Sequence, residues 1–360
     1  MKKVPAKTTF SFGSIYFLLS LLLVASMLIG MRVGAVNISF GHIFSYILDA
    51  TGINPRKSID AIEKGLFLQI RLPRVLLCMA VGAALGVSGA LMQALFRNPI
   101  VEPGLVGTSA GAALGAAAVF VLGAQFKWVM NTFISSFILP LCAFGGGLAA
   151  TLIVYKLATV RGKITIAAMI LIGVAINALA TGGTGFLSLI ARDPQARSIT
   201  FWDLGTFSGA DWNSFCIVLA STTFSILAAL HYAKGLNALL LGEPEAQALG
   251  VNTEKLKTRI ILINTFMVAI ATSFVGVISF VGLVVPHILR MLKSADNRYL
   301  IIGSALLGGS LMVLADAVAR TIIAPGEMPI GILTALVGAP VFISMLIHQS
   351  KANPGGGFYA

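Results

Sequence analysis

Long apolar blocks alternate with short polar stretches along the chain. Ser14 to Met31, Val75 to Phe96, Gly104 to Phe126, Val129 to Tyr155 and Ile164 to Ala191 contain no Asp, Glu, Lys or Arg. Trp212 to Tyr232 and Ile260 to Leu289 continue the series, and Tyr299 to Ala319, interrupted by Asp316, and Met328 to His348 close it. A helix needs about 20 such residues to cross a hydrocarbon core roughly 30 Å thick. A barrel would instead show segments of about 10 residues with alternating character. The pattern predicts an all-α integral membrane protein.

Nine blocks do not mean nine crossings. As one helix, Ile260 to Leu289 would run about 45 Å, too long for one upright span. Gly276, Gly282 and Pro286 offer places to break it into a full span and a short, irregular one. An irregular segment at membrane depth must be buried among other helices. The basic residues favour the break. With ten spans and the N-terminus inside, 15 Lys and Arg fall inside and 10 outside; with nine the split becomes 12 and 13. Lys and Arg accumulate on the cytoplasmic side, so ten spans is the expected count. The N-terminus, with Lys2, Lys3 and Lys7, reads as a cytoplasmic tail leading into an uncleaved first span, and the C-terminus as cytoplasmic too.

Composition sharpens this picture. Hydrophobic residues make up 57% of the chain and charged residues 11%, against about 25% charged in soluble domains. The net charge of +12 sits in the connections, where it sets topology rather than binding nucleic acid. Cys78, Cys142 and Cys216 lie in apolar blocks without metal-ligand spacing and read as small core residues. No metal site and no resident cofactor are expected. Gly82, Gly86 and Gly89, then Gly107, Gly111 and Gly115, recur every three or four residues, which lines a helix face with small residues for close packing. Three arginines run against the topology: Arg71, Arg74 and Arg320 fall at outer helix ends. Lipid-headgroup anchoring and docking of an acidic partner both account for that position.

Five segments in order carry a resemblance. They are Arg71-Leu-Pro-Arg74 with Ser88-Gly-Ala-Leu-Met-Gln-Ala-Leu-Phe-Arg-Asn-Pro99 and Glu102-Pro-Gly-Leu-Val-Gly107; Phe201-Trp-Asp-Leu-Gly205 with Ser208-Gly-Ala-Asp-Trp212; Leu241-Gly-Glu-Pro-Glu-Ala-Gln-Ala-Leu-Gly-Val251; Phe280-Val-Gly-Leu-Val-Val-Pro-His-Ile-Leu-Arg290; and Ala315-Asp-Ala-Val-Ala-Arg320 with Glu327-Met-Pro-Ile-Gly331. From Arg71 to Ile347 the chain resembles the FecCD/BtuC-like permeases of ABC importers for iron siderophores, haem and cobalamin. That resemblance implies the type II importer permease fold, with about ten helices in one domain spanning 1–360. It implies a homodimer in the bacterial cytoplasmic membrane, two separate ATPase subunits that hydrolyse ATP with Mg, and an extracytoplasmic binding protein delivering an iron chelate.

The resemblance also implies roles for particular residues. Arg71, Arg74 and Arg320 meet acidic groups of the binding protein. Leu241, Gly242, Glu243, Pro244, Glu245, Ala246, Leu249 and Gly250 form the ATPase coupling segment within a cytoplasmic connection, 234–258. The span holding Asn177, Thr181 and Thr184 lines the path. The chain has no G-x-x-x-x-G-K-[ST] motif, so it is not expected to hydrolyse ATP itself. Ion-coupled secondary transport is the competing class, and it predicts carboxylate or histidine relays at mid-membrane. Asp316 is expected to pair with Arg320 one turn on, and His287 to bond a carbonyl freed by Pro286.

Overall fold

A computed structural model describes residues 11–34, 38–50, 61–123, 135–324 and 326–352. Lys2, Lys3, Lys7 and Lys127, and most of the expected tails 1–13 and 350–360, lie outside the described residues. Among the described residues seven helices are long and apolar enough to cross a bilayer. They are α1 (Phe12–Arg32), α4 (Leu72–Phe96), α6 (Ser135–Ala158), α7 (Ile166–Ile190), α9 (Trp212–Leu241), α11 (Thr253–Val275) and α13 (Asn297–Ile322). Three shorter apolar helices join them: α5 (Thr108–Leu122), α12 (Val281–Leu292) and α14 (Ile330–Ala352, apolar to Met345). That makes ten apolar helices among the described residues, roughly consistent with the ten spans that the charge distribution favours. Short helices α2 (Phe40–Ala50), α3 (Ala61–Leu66), α8 (Asp193–Asp203) and α10 (Glu243–Ala248) fill the connections, and a two-stranded hairpin, β1 (Thr159–Val160) and β2 (Lys163–Ile164), joins α6 to α7.

The long apolar block breaks at Gly276. Its φ of 77° suits glycine, and a side chain there would collide with the Trp202 carbonyl. Gly282 and Pro286 lie inside α12 instead of at the break. At 12 residues α12 spans about 18 Å, short of the bilayer, and it is packed on α4, α13 and α14.

Small residues set the closest approaches. Gly82 faces the backbone of Gly308, and Gly86 that of Ser304, bringing α4 against α13. Gly89 faces Gly282 on α12, while Gly111 and Gly115 meet Gly146 and Cys142 on α6. Gly107 differs: its φ of 92° makes the turn into α5. Contact this close replaces the hydrophobic driving force that lipid removes. Cys78 is buried as expected, whereas Cys142 and Cys216 are exposed, because their helix faces point away from the core of the single chain.

The helices alternate in direction, which defines two ends. The end of α1 and the start of α4 meet the end of α13 through Arg320 and Gly30, and Trp212 at the start of α9 donates to the Leu68 carbonyl at 3.0 Å. At the opposite end, Asn237 late in α9 donates to Asp296 beneath α13 at 2.9 Å, and Phe12 at the start of α1 stacks near Tyr299. The helix α10 follows α9 at that second end.

Candidate functional site

Three features coincide with the residues singled out in the sequence. The first is a cavity of about 590 Å³ between α5, α7, α8 and the break at 276–280. Asn177, Thr181 and Thr184 all line it, at successive turns of α7. The Asn177 amide donates to the Gly104 carbonyl at 3.2 Å, and its Oδ1 has no hydrogen-bond partner among the described residues. Thr184 returns its hydroxyl to the Ala180 carbonyl at 3.0 Å. The volume falls in the range of small-molecule sites, roughly 300–1,000 Å³.

Two carboxylates that stand in the quoted motifs also overlook the cavity. Glu102 precedes a 3₁₀ turn (Pro103–Val106), and its Oε1 accepts from the Phe280 amide at 3.1 Å. Asp203 ends α8, whose Ile199 and Trp202 are buried. Burial raises the Glu102 carboxyl above its usual range, partly offset by the Phe280 hydrogen bond, and burial alone raises Asp203. The lining includes no Lys, Arg or His among the described residues. Such a wall suits a neutral or cationic surface better than an anionic one.

A raised carboxyl has a predictable signature. The protonated form is favoured in the fold, so stability is highest at acid pH and falls as pH rises from the unfolded toward the folded value. Asp203→Asn is therefore expected to raise the melting midpoint in detergent at pH 7. The gain should shrink toward zero as the buffer is acidified. A gain that persisted at acid pH would show that the charge of Asp203 is not its source.

The second feature gathers Arg71, Arg74 and Arg320, which stand 5%, 8% and 8% exposed at the first end. Arg74 grips Asp316 through Nε and Nη2, the latter at 2.8 Å, and Glu327 through Nη1 at 2.8 Å. Arg320 reaches the same Asp316 at 2.9 Å, the expected one-turn pair. The remaining donors cap α1: Arg320 Nη2 binds the Gly30 carbonyl at 3.0 Å, and Arg71 Nη1 binds those of Met31 and Arg32 at 3.1 and 3.0 Å. A helix C-terminus leaves carbonyls unpaired with partial negative charge, so guanidinium groups suit it. Neither this use of α1 nor the part of Glu327 was legible in advance.

The third feature is α10. The expected connection 234–258 is mostly helical, because α9 runs on to Leu241 and α11 begins at Thr253. Only one short helix intervenes, from Glu243, with Pro244 in its first turn. Gly242 (φ 135°) and Gly250 (φ 83°) bracket it, and the Glu245 carboxylate folds back over Gly242. Ala246 is buried, while Leu241 and Leu249 are 68% and 65% exposed. His287 is buried, and its Nδ1 has no hydrogen-bond partner among the described residues, so that atom does not supply the expected bond to a carbonyl. No group of three or more His, Cys, Asp or Glu capable of holding a metal occurs among the described residues.

Comparison with known proteins decides what this arrangement is. Residues 21–348 match the FecCD transport family. The chain belongs to the FecCD transport family. It is 38% identical over 337 residues to the hemin transport permease HmuU of Yersinia pestis, covering 94% of this chain and 96% of that one. It is 38% identical over 282 residues to the vitamin B12 import permease BtuC of Yersinia pseudotuberculosis (78% and 81%), and 40% identical over 283 residues to the cobalamin permease BtuC of Halobacterium salinarum (77% and 72%). A solved inward-facing conformation of a metal-chelate type ABC transporter superposes with TM-score 0.81 at 30% identity, covering 93% of this chain and 99% of that one. PsaBC from Streptococcus pneumoniae, at 17% identity and TM-score 0.56, shares the fold alone. This FecCD member is thus a multi-pass ABC importer permease, and ATP hydrolysis belongs to a separate chain of the transporter.

Proposed function

We propose that this permease carries an iron chelate, haem or a ferric siderophore, from an extracytoplasmic binding protein into a bacterial cytoplasm. The observation that carries the reading is the cavity at Asn177, Thr181 and Thr184, set between an arginine-rich end and the α10 end. The hemin permease matches nearly the whole chain, which favours a metal macrocycle or similar chelate as cargo. Cobalamin is the second reading, supported by the BtuC permeases at equal identity over a shorter stretch. A second copy of the chain would complete the path, with two ATPases below it.

In this reading the arginine end faces outward. Three guanidinium groups gather there around Asp316 and Glu327, a cluster that an acidic binding protein could meet. The α10 end, where α1 begins, faces the cytoplasm in this reading. Exposed Leu241 and Leu249, flanking Glu243 and Glu245, suit a groove on the ATPase.

Proteoliposomes holding this chain, its ATPase and its binding protein test the reading. ATP-dependent accumulation of haem or a ferric siderophore supports it. Accumulation of cobalamin alone moves the cargo to the second reading, and uptake driven by an ion gradient without ATP overturns the importer mechanism. Docking has its own check. Glu327, 41% exposed, is the carboxylate that a partner's acid would displace from Arg74. Glu327→Gln is expected to raise binding-protein affinity a few-fold at low salt, with the gain fading as salt screens the contact. Affinity insensitive to both salt and Glu327 would remove the docking role of Arg71, Arg74 and Arg320.

A further inference from the structure

One buried lysine sits where α10 meets the foot of α7. Lys257, in the second turn of α11, is 2% exposed although it is charged and near a helix end. Its ammonium has three donors, and each finds an acceptor. Nζ lies 2.8 Å from Glu243 Oε2, 3.0 Å from Glu254 Oε1 and 3.3 Å from the Ile164 carbonyl. Glu254 closes the arrangement, because its other oxygen accepts from the Ile164 amide at 2.7 Å. Lys257 and Glu254 thus hold both backbone groups of Ile164, a strand residue two positions before α7 begins. Ile164 is itself buried, so the grip is on a fixed point of the chain.

Glu243 is the first residue of α10. The ammonium therefore joins α10 and α11 to a piece far earlier in the chain, the hairpin at the foot of α7. A second tie, Gln247 to Thr253 at 3.0 Å, binds α10 to α11 without touching the hairpin. Tyr155 of α6 meets Thr258 of α11 at 3.1 Å, which links the two helices but not α10. Among the described residues Lys257 reaches from α10 to the hairpin that leads into α7, the helix on which Asn177, Thr181 and Thr184 line the cavity.

We infer that Lys257 is a positioning residue that transmits movement of α10 to the foot of α7, so that work done on α10 reopens or closes the cavity wall. The inference rests on the reading of α10 as the segment an ATPase grips. Its physical basis is the burial of the ammonium, which is 2% exposed while Glu243 and Glu254 each keep one edge in solvent at 31%. A buried ion pair that loses one partner leaves an uncompensated charge, so the ammonium and its carboxylates resist separation and move together. A solvated pair would let α10 shift while α7 stayed where it was.

The test measures substrate uptake and ATP hydrolysis in the same proteoliposomes, using whichever of haem, a ferric trihydroxamate or cobalamin the wild type accumulates. Lys257→Met is expected to keep hydrolysis within about twofold while uptake per ATP falls about tenfold. Glu254→Gln leaves Ile164 an acceptor but weakens the hold on the ammonium. It is expected to lower uptake per ATP in the same direction, and it covers the case in which Lys257→Met does not assemble. Uptake per ATP unchanged in Glu254→Gln, or hydrolysis and uptake falling in parallel in an assembled Lys257→Met, overturns the relay. A wild type without ATP-dependent uptake overturns the importer reading itself, and the relay with it.

Discussion

Replacing Asp316 with alanine is expected to destabilise the permease by about 4 kcal/mol. The carboxylate is 2% exposed and serves two guanidinium groups, with Arg74 at 2.8 Å and Arg320 at 2.9 Å. Arginine cannot shed its proton to escape burial. The variant would therefore hold two buried positive charges around a space left by the missing side chain. Arg74 keeps Glu327, but that carboxylate is 41% exposed and well hydrated, so it compensates poorly. The loss should appear as a lower midpoint for the monodisperse peak after heating in mild detergent. Replacing Arg74, Asp316 and Arg320 together by apolar residues should cost less than Asp316→Ala alone, because no charge is then stranded. If Asp316→Ala melted with the wild type, the cluster would have to be hydrated.

Valine at Gly89 is expected to cost about 3 kcal/mol by overpacking. A Cβ there overlaps the carbonyl of Gly282, which is helix backbone and cannot rotate aside as a side chain does. Relief requires α12 to move off α4. But α12 carries Gln93's partners, the carbonyls of Gly282 and Leu283 at 3.3 and 3.2 Å, so separation also strands a buried amide. Gly145→Ala is the control, because nothing lies within 4 Å of a Cβ built there. The comparison is by recovery and melting in detergent. Equal behaviour of the two variants would show that the α4–α12 approach carries no stability.

The spans were legible because lipid enforces a simple rule: enough apolar residues without charge to cover the hydrocarbon. The break of Ile260 to Leu289 was legible for the same reason, since its length fits neither one crossing nor two. Its position was harder. Gly276, Gly282 and Pro286 are all helix-weakening residues, and only the nearness of the Trp202 carbonyl decides for Gly276. Asp316 with Arg320 is a one-turn spacing, visible in any helix. Arg74 with Asp316 joins residues 242 positions apart, and no local pattern announces it. Lys257 illustrates the same limit. As a charge at the foot of a span it reads as solvated, yet it is buried by Ile164, 93 positions earlier in the hairpin, and by Glu243 of α10. Glu102 and Asp203 stand inside the family's motifs, but which way their carboxylates face is a property of the packed helices.

The break at 276–280 bears on how the chain is made. While it is being synthesised, Ile260 to Leu289 offers the insertion machinery one continuous oily stretch whose helix-weakening residues, Gly276, Gly282 and Pro286, do not by themselves fix where it reverses. The groups that hold the reversal are Glu102, on the Phe280 amide, and the turn after Trp202, whose Thr206 donates to the Val275 carbonyl at 2.8 Å. Both precede the break in the chain, so the ribosome delivers the mould before the part cast in it. The C-terminal quarter of this permease is thus expected to thread against an N-terminal portion that has already settled in the bilayer.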